Sequence, residues 1–229
     1  MSSTSAPGPS SGGGLRVDAE RNRQRVVVAA RQAFAELGLE VPMEEIARRA
    51  GVGVGTLYRR YPTRGDLIAA AFEAKMTAYA EATREALAGP DPWRGFCDYV
   101  ERICAMQAGD RGFTTVLTMT FPTAKQFEAD RARAYADFTT LVERAKAAGS
   151  LRADFVAEDM PMFLMANAGV LAATADAAPE AWRRLVGYLI QACAASAAQP
   201  LPDSPGPRRM YKAMLRATRH QRDRRPAKE

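Results

Sequence analysis

The sequence holds one histidine, His220, set in an arginine-rich run near the end of the chain. Histidine is the usual general base and metal ligand near neutral pH, so its scarcity narrows the chemistry open to this protein. No nucleophile stands beside a partnered base, and there is no GxSxG, no pair of metal ligands and no phosphate loop. The expectation is no catalytic residue, no metal and no cofactor. Cysteine is scarce too. Cys97, Cys104 and Cys193 form neither a CxxC pair nor a zinc spacing. Cys97 and Cys104 share a helical face and read as small buried hydrophobes in a reducing compartment, with a redox switch as the alternative. No apolar run reaches the roughly 18 residues a membrane span needs. The Ser/Gly/Pro-rich start lacks a signal-peptide core, so a cytoplasmic protein with no membrane partner is expected. Alternating strand patterns are missing as well.

What is present is helical periodicity and an uneven charge. The 229 residues, 47% apolar, suit one generous domain or a small domain joined to a larger one. Residues 1–65 carry ten basic and six acidic side chains, residues 66–199 thirteen and seventeen, and residues 200–229 nine and three. Basic ends around a mildly acidic middle fit a nucleic-acid-facing front on a body that avoids nucleic acid. Of the 32 cationic residues 27 are arginine; in so Ala- and Pro-rich a chain this reads as coding bias more than as a phosphate-binding device.

The fold class expected is all-α, with about nine helices. Residues 1–15 read as a disordered tail, 16–63 as a DNA-binding unit, 64–199 as a helical body, and 200–229 as a basic Pro/Arg-rich tail. The spacing predicts helices over Asp18–Leu37, from Pro42 to Ala50, Val54–Arg60, Thr63–Ala88, Trp93–Gln107, Phe113–Phe121, Thr123–Ala148, Ala157–Ala175 and Glu180–Ala198. Residues 200–207 form a stiff proline linker. Three readings of residues 208–225 stand: a solvated tail, an accessory phosphate contact, or a membrane-surface helix.

The stretch from Met43 to Leu67 carries the most information. Two short helices flank a glycine turn at Gly51 and Gly53. Ala47 is small where the helices cross, and Val52 and Leu57 tie the pair to its neighbours. Gly53, Val54, Gly55, Thr56, Tyr58, Arg59 and Arg60 are left facing outward, with little bulk at the start of the helix and donors beyond it. Such a helix can enter the major groove of DNA. The segment Ile46-Ala-x-x-Ala-Gly-Val-x-Val-Gly-Thr-Leu-Tyr58, followed by Arg59-Arg-Tyr-Pro-Thr-Arg64 and Leu67, closely resembles the DNA-binding domain of the TetR family of bacterial repressors, specifically over about residues 20–75. The resemblance implies a homodimer whose first three helices bind half of a near-palindromic operator, with helices 4 to 9 forming a ligand-sensing, dimerising body. It implies phosphate contacts from Thr56, Tyr58 and Arg60. The family's usual lysine at the start of helix 4 is Arg64, still expected on a phosphate and with a bidentate option. Tyr61 replaces a buried phenylalanine and is expected mainly to pack. Arg59 either reads a guanine edge or contacts a phosphate. Arg48 and Arg49 are either phosphate contacts or a solvated face. Arg21, Arg23 and Arg25 are expected in solvent.

The body is rich in Met and Phe, and methionine adapts to irregular cavities. A pocket for an apolar or aromatic small-molecule effector is expected to involve Met106, Gln107, Phe113, Met119, Phe138, Met165 and Asn167, where the plain alternative is a packed core. Gln107 and Asn167 either orient a ligand or satisfy buried backbone. Ala166, Ala168, Gly169, Ala172 and Ala173 let helices approach closely and mark a dimer seam across a two-fold axis. The rivals to a ligand-responsive repressor are a sequence-nonspecific nucleoid-type protein and, less favoured, a small-molecule enzyme on a helical scaffold.

Overall fold

The structure, a computed structural model, describes residues 12–118, 124–197 and 199–214. Among these it is helical without a strand, in the order α1 (Gly12–Leu37), α2 (Met43–Ala50), α3 (Val54–Arg60), α4 (Arg64–Ala88), α5 (Pro92–Ala108), α6 (Arg111–Thr118), α7 (Lys125–Ala147), α8 (Asp159–Thr174) and α9 (Ala181–Cys193). A 3-10 turn over Ala195–Ala197 follows, and residues 207–214 are again helical. None of the described helices is long and apolar enough to cross a membrane.

Local chemistry sets several boundaries. Pro42 is the N-cap of α2, whose first turn carries Glu44 and Glu45 against the positive helix end. Gly51, at φ 63°, stops that helix in the left-handed conformation, and Val52 N–H returns to the Ala47 carbonyl. Thr63 and Asp66 cap α4 reciprocally, each side chain accepting from the other's backbone. Asp91 caps α5 by accepting from the Trp93 and Arg94 N–H groups, with Pro92 at the first helical position.

Helix α4 is the axis of the molecule, packing on α7 and α5 along its length and on α1 at its start. The core around it is aromatic. Phe72 lies between Phe34 of α1 and Phe113 of α6, with centroids 6.0 and 6.1 Å away. Phe138 stacks on Tyr99 at 4.7 Å and lies 6.2 Å from Phe96, which also meets Trp93 and Phe155. Gly95 brings α5 onto α4 so closely that a Cβ there would sit 2.5 Å from the Ala86 carbonyl oxygen.

Arginines tie the helix ends. Arg25 of α1 donates to the Ala50 and Gly51 carbonyls, at 2.6 and 3.1 Å, where α2 stops. Arg144 of α7 donates to the Leu87 and Gly89 carbonyls at the end of α4. Arg131 reaches the Val116 carbonyl of α6, and Arg152 the Ala192 carbonyl of α9. The last carbonyls of a helix lack intrahelical donors and carry its negative dipole end. A guanidinium serves both needs at once. Part of the arginine richness therefore has structural work beside any coding bias, and Arg25, exposed as expected, also acts as a clamp.

Other boundaries moved. Helix α1 begins at Gly12, six residues before the expected Asp18, with Arg21 beside Asp18 and Arg23 bound to Glu20 along its outer face. Helix α9 stops at Cys193, short of the expected Ala198. Leu151 forms a bridge with Ala194, and Arg152 N–H bonds the Cys193 carbonyl, so tertiary pairing overrides the helix propensity of the alanines. Arg152 also holds the Gln199 carbonyl, and Met210 is buried. Met210 anchors the described start of the basic tail, whose other residues are mostly exposed, in line with a solvated segment; residues 215–229, with His220, lie outside the described residues.

The cysteines are free, and burial pushes their thiols up, Cys97 to about 11 and Cys104 and Cys193 to about 12. All three stay protonated near neutrality, which argues against the redox alternative. In mildly alkaline buffer a thiol reagent is expected to label half-buried Cys97 slowly, and Cys104 and Cys193 only once denaturant is added. Rapid native labelling of Cys193 would contradict this burial.

Candidate nucleic-acid interface

The face expected to meet DNA is built from the inside out. Ala47 and Ile46 of α2 are fully buried, and Leu57 of α3 is 1% exposed. Tyr61 is 6% exposed and caps α3 as part of the core, matching its expected packing role. With one side of α3 fixed by Leu57 and Tyr61, the helical register turns Val54, Gly55, Thr56, Tyr58, Arg59 and Arg60 outward. Val54 and Tyr58 are 38% and 41% exposed. A Cβ on Gly55 would meet nothing within 4 Å, and one on Gly53 only the Thr56 hydroxyl at 3.9 Å. Neither glycine is required by packing within the chain, and both leave the backbone bare on the outer face.

Thr56, Arg59 and Arg60 line one wall of a groove of about 490 Å³, whose other wall is Asn22, Arg23 and Val26 of α1. Arg59 has no hydrogen bond or ion pair among the described residues. Arg60 likewise makes none, while Arg48, Arg49 and Arg64 are engaged. Arg48 and Arg49 both bind Glu45, and Arg49 also reaches Glu36 at 2.7 Å. The hydrogen bonds from Arg48 and Arg49 hold the Glu45 carboxyl down to about 2. The Tyr58 hydroxyl lies 3.4 Å from Glu44 Oε1. Arg64 Nη1 lies 2.9 Å from Glu40 Oε2 and 3.3 Å from the Leu39 carbonyl. Sequence reasoning missed Glu36, Glu44 and Glu40, because partners 13 to 24 positions apart leave no periodic trace; Glu45 stands at the local helical spacing from Arg48 and Arg49.

The residues expected to line an effector pocket divide into separate groups. Gln107 and Asn167 come together: Asn167 Nδ2 donates to Gln107 Oε1 at 2.8 Å and to the Cys104 carbonyl at 3.3 Å, while Gln107 Nε2 donates to the Leu164 carbonyl at 3.3 Å. Both are buried, and Asn167 Oδ1 has no hydrogen-bond partner among the described residues. Phe113 packs at the α4–α6 contact and Phe138 in the α5–α7 aromatic cluster; each is buried as core. Met106 and Met165 are half-buried, and Met119 lies outside the described residues. Two grooves among the described residues of the body, between α4 and α5 near Gly89 and between α5 and α9 near Trp182, are not lined by these residues.

Comparison with known proteins agrees with this layout. A model for bacterial regulatory proteins of the tetR family matches residues 26–71, which hold α2, α3 and the start of α4. A model for the C-terminal domain of SbtR-like transcriptional regulators matches residues 91–192. An HTH-type transcriptional regulator of Staphylococcus aureus is 44% identical over 54 residues, 23% of this chain and 29% of that protein, so the chain matches under a third of the length of such curated relatives. Over longer spans, a TetR transcription regulatory protein of Mycobacterium vanbaalenii is 31% identical, covering 79% of this chain and 99% of that one, with a TM-score of 0.47. FadR of Bacillus subtilis, solved with stearoyl-CoA, shares the fold at 14% identity and a TM-score of 0.56, over 77% of this chain and 99% of that one. With a front segment and a body each matched by its own regulator model and a relative aligned over nearly its whole length, the chain belongs to the TetR family of bacterial transcriptional regulators.

Proposed function

We propose that the protein is a ligand-responsive repressor that binds a near-palindromic operator as a homodimer. The observation that carries this reading is the outer face of α3. It pairs a bare glycine backbone at Gly53 and Gly55 with Thr56, Tyr58, Arg59 and Arg60, on a helix whose opposite side is locked by Leu57. Val54 and the glycines meet the groove, Thr56, Tyr58, Arg60 and Arg64 grip phosphates, and Arg59 reads a base edge. Arg48 gives at most a rim contact, since it is held by Glu45.

The dimer seam is the outer face of α8 and α9. Met162, Ala166, Gly169 and Ala173 recur at helical steps on α8 and are all exposed, and Tyr188 of α9 is 55% exposed. Small residues along such a stripe allow a partner helix to approach closely. The effector enters between α5 and α8, separating the packed Gln107–Asn167 pair and offering a donor to Asn167 Oδ1. An apolar or aromatic molecule with one hydroxyl or amide N–H suits that site. Ligand binding shifts α6 and then α4, which carries Arg64 at its start, and a coupling of about 1–3 kcal/mol gives 5- to 150-fold release.

The test is selection of bound duplexes from a randomised pool, with the protein's mass measured in solution. An inverted repeat with half-sites about one helical turn apart, bound by a dimer, is the expected result. A pool that returns without any enriched motif would instead mark a nonspecific DNA-binding protein.

A further inference from the structure

The pairing at Arg64 is directional. Glu40 Oε2 and the Leu39 carbonyl both contact the same guanidinium nitrogen, Nη1. A guanidinium offers two edges for bidentate binding of an oxyanion, one formed by Nη1 with Nη2 and the other by Nε with Nη2. Occupying Nη1 closes the first edge and leaves the second open. Among the described residues Arg64 makes no other hydrogen bond or ion pair, so Nε and Nη2 are unused there. The backbone that carries both partners is also fixed. Leu39 is buried at 4% exposure, its neighbour Val41 at 1%, and Val41 N–H bonds the Gly38 carbonyl, which holds the corner between α1 and α2 in shape. Arg64 itself sits in the first turn of α4, anchored by the Thr63–Asp66 capping box.

We infer that Glu40 is a positioning residue for DNA binding: with the Leu39 carbonyl it holds the Arg64 guanidinium so that its Nε–Nη2 edge faces a backbone phosphate. The inference rests on the reading that Arg64 contacts phosphate. It runs against simple charge counting. A carboxylate beside a DNA-binding surface repels phosphate, so on Coulomb grounds alone its removal tightens binding. If Glu40 orients Arg64, its removal weakens binding although the protein gains a positive charge.

The sign of that change is the test. Fluorescence anisotropy would follow a labelled mixed-sequence duplex of about four helical turns across a salt series. The proteins are the full chain, Glu40→Ala, Glu40→Gln, Arg64→Gln and the double variant Glu40→Ala/Arg64→Gln. Glu40→Ala is expected to weaken binding about three- to fivefold, the scale of an exposed ion pair. Glu40→Gln, whose amide oxygen still accepts from Nη1, should weaken it less, although both variants lose the same charge. Arg64→Gln should lower the slope of log affinity against log salt by about one phosphate's worth, and in that background Glu40→Ala should cause no further loss. Three results overturn the proposal: tighter or unchanged binding by Glu40→Ala, equal effects of the two Glu40 variants, or the same loss from Glu40→Ala with and without Arg64, which would mean a structural role for the corner. If Arg64→Gln itself leaves affinity and slope untouched, the phosphate reading of Arg64 fails, and the positioning role fails with it.

Discussion

Replacing Phe96 by alanine is expected to cost the body about 3–5 kcal/mol of stability, the upper range for deleting a buried aromatic side chain. Phe96 is fully buried and meets Trp93, Phe138 and, edge to face at 5.2 Å, Phe155. The loss depends on how far the neighbours can close the void. Here they cannot move far: Gly95 already presses α5 against the Ala86 carbonyl, and Phe138 is held from its other side by Tyr99. Most of the cavity therefore persists, adding its own penalty to the lost transfer free energy of the ring. Urea unfolding read by circular dichroism checks this, with the midpoint falling and the slope unchanged. A loss below about 1 kcal/mol would mean that the helices collapse into the space.

Gly55→Leu is expected to do the reverse, leaving the fold intact and removing DNA binding. A Cβ at position 55 meets no neighbouring group within 4 Å, and leucine is a better helix former than glycine by several tenths of a kcal/mol. The free protein should melt at the same temperature or slightly higher. On DNA the new side chain stands between the α3 backbone and the groove, so affinity for a selected duplex should fall by about a hundredfold or more, into the range separating specific from nonspecific binding. Electrophoretic mobility shift at fixed salt, beside the thermal melt, reads both halves. A variant that melts normally and still binds would show that α3 does not approach the groove through Gly55.

These two positions show where the sequence was legible. The outer face of α3 could be read because buried Leu57 fixes a helical register, and register decides which of its neighbours turn outward. The long helices were equally plain from their apolar stripes. What could not be read depends on distance along the chain. Phe113 and Phe138 recur at the spacing of any inward-facing residue, and that spacing is identical for a core and for a cavity wall. The end of α9 was missed because Ala194 is a good helix former with a tertiary partner, Leu151, in a different part of the sequence. Glu40 and Arg64 are likewise neighbours only because the α1–α2 corner folds back.

The arginine clamps have a consequence for how the gene can be altered. Each fixes the spot where a helix stops, so an added residue in the connections after α2, α4 or α9 would pull a carbonyl away from its guanidinium and lose the bond. The connection between α8 and α9 differs. Residues 176–180 are exposed, and among the described residues no arginine reaches the last turn of α8. Extra length there disturbs only the local turn, in which Ala178 N–H bonds the Thr174 carbonyl. It is the natural place to graft a peptide tag or a fluorescent reporter.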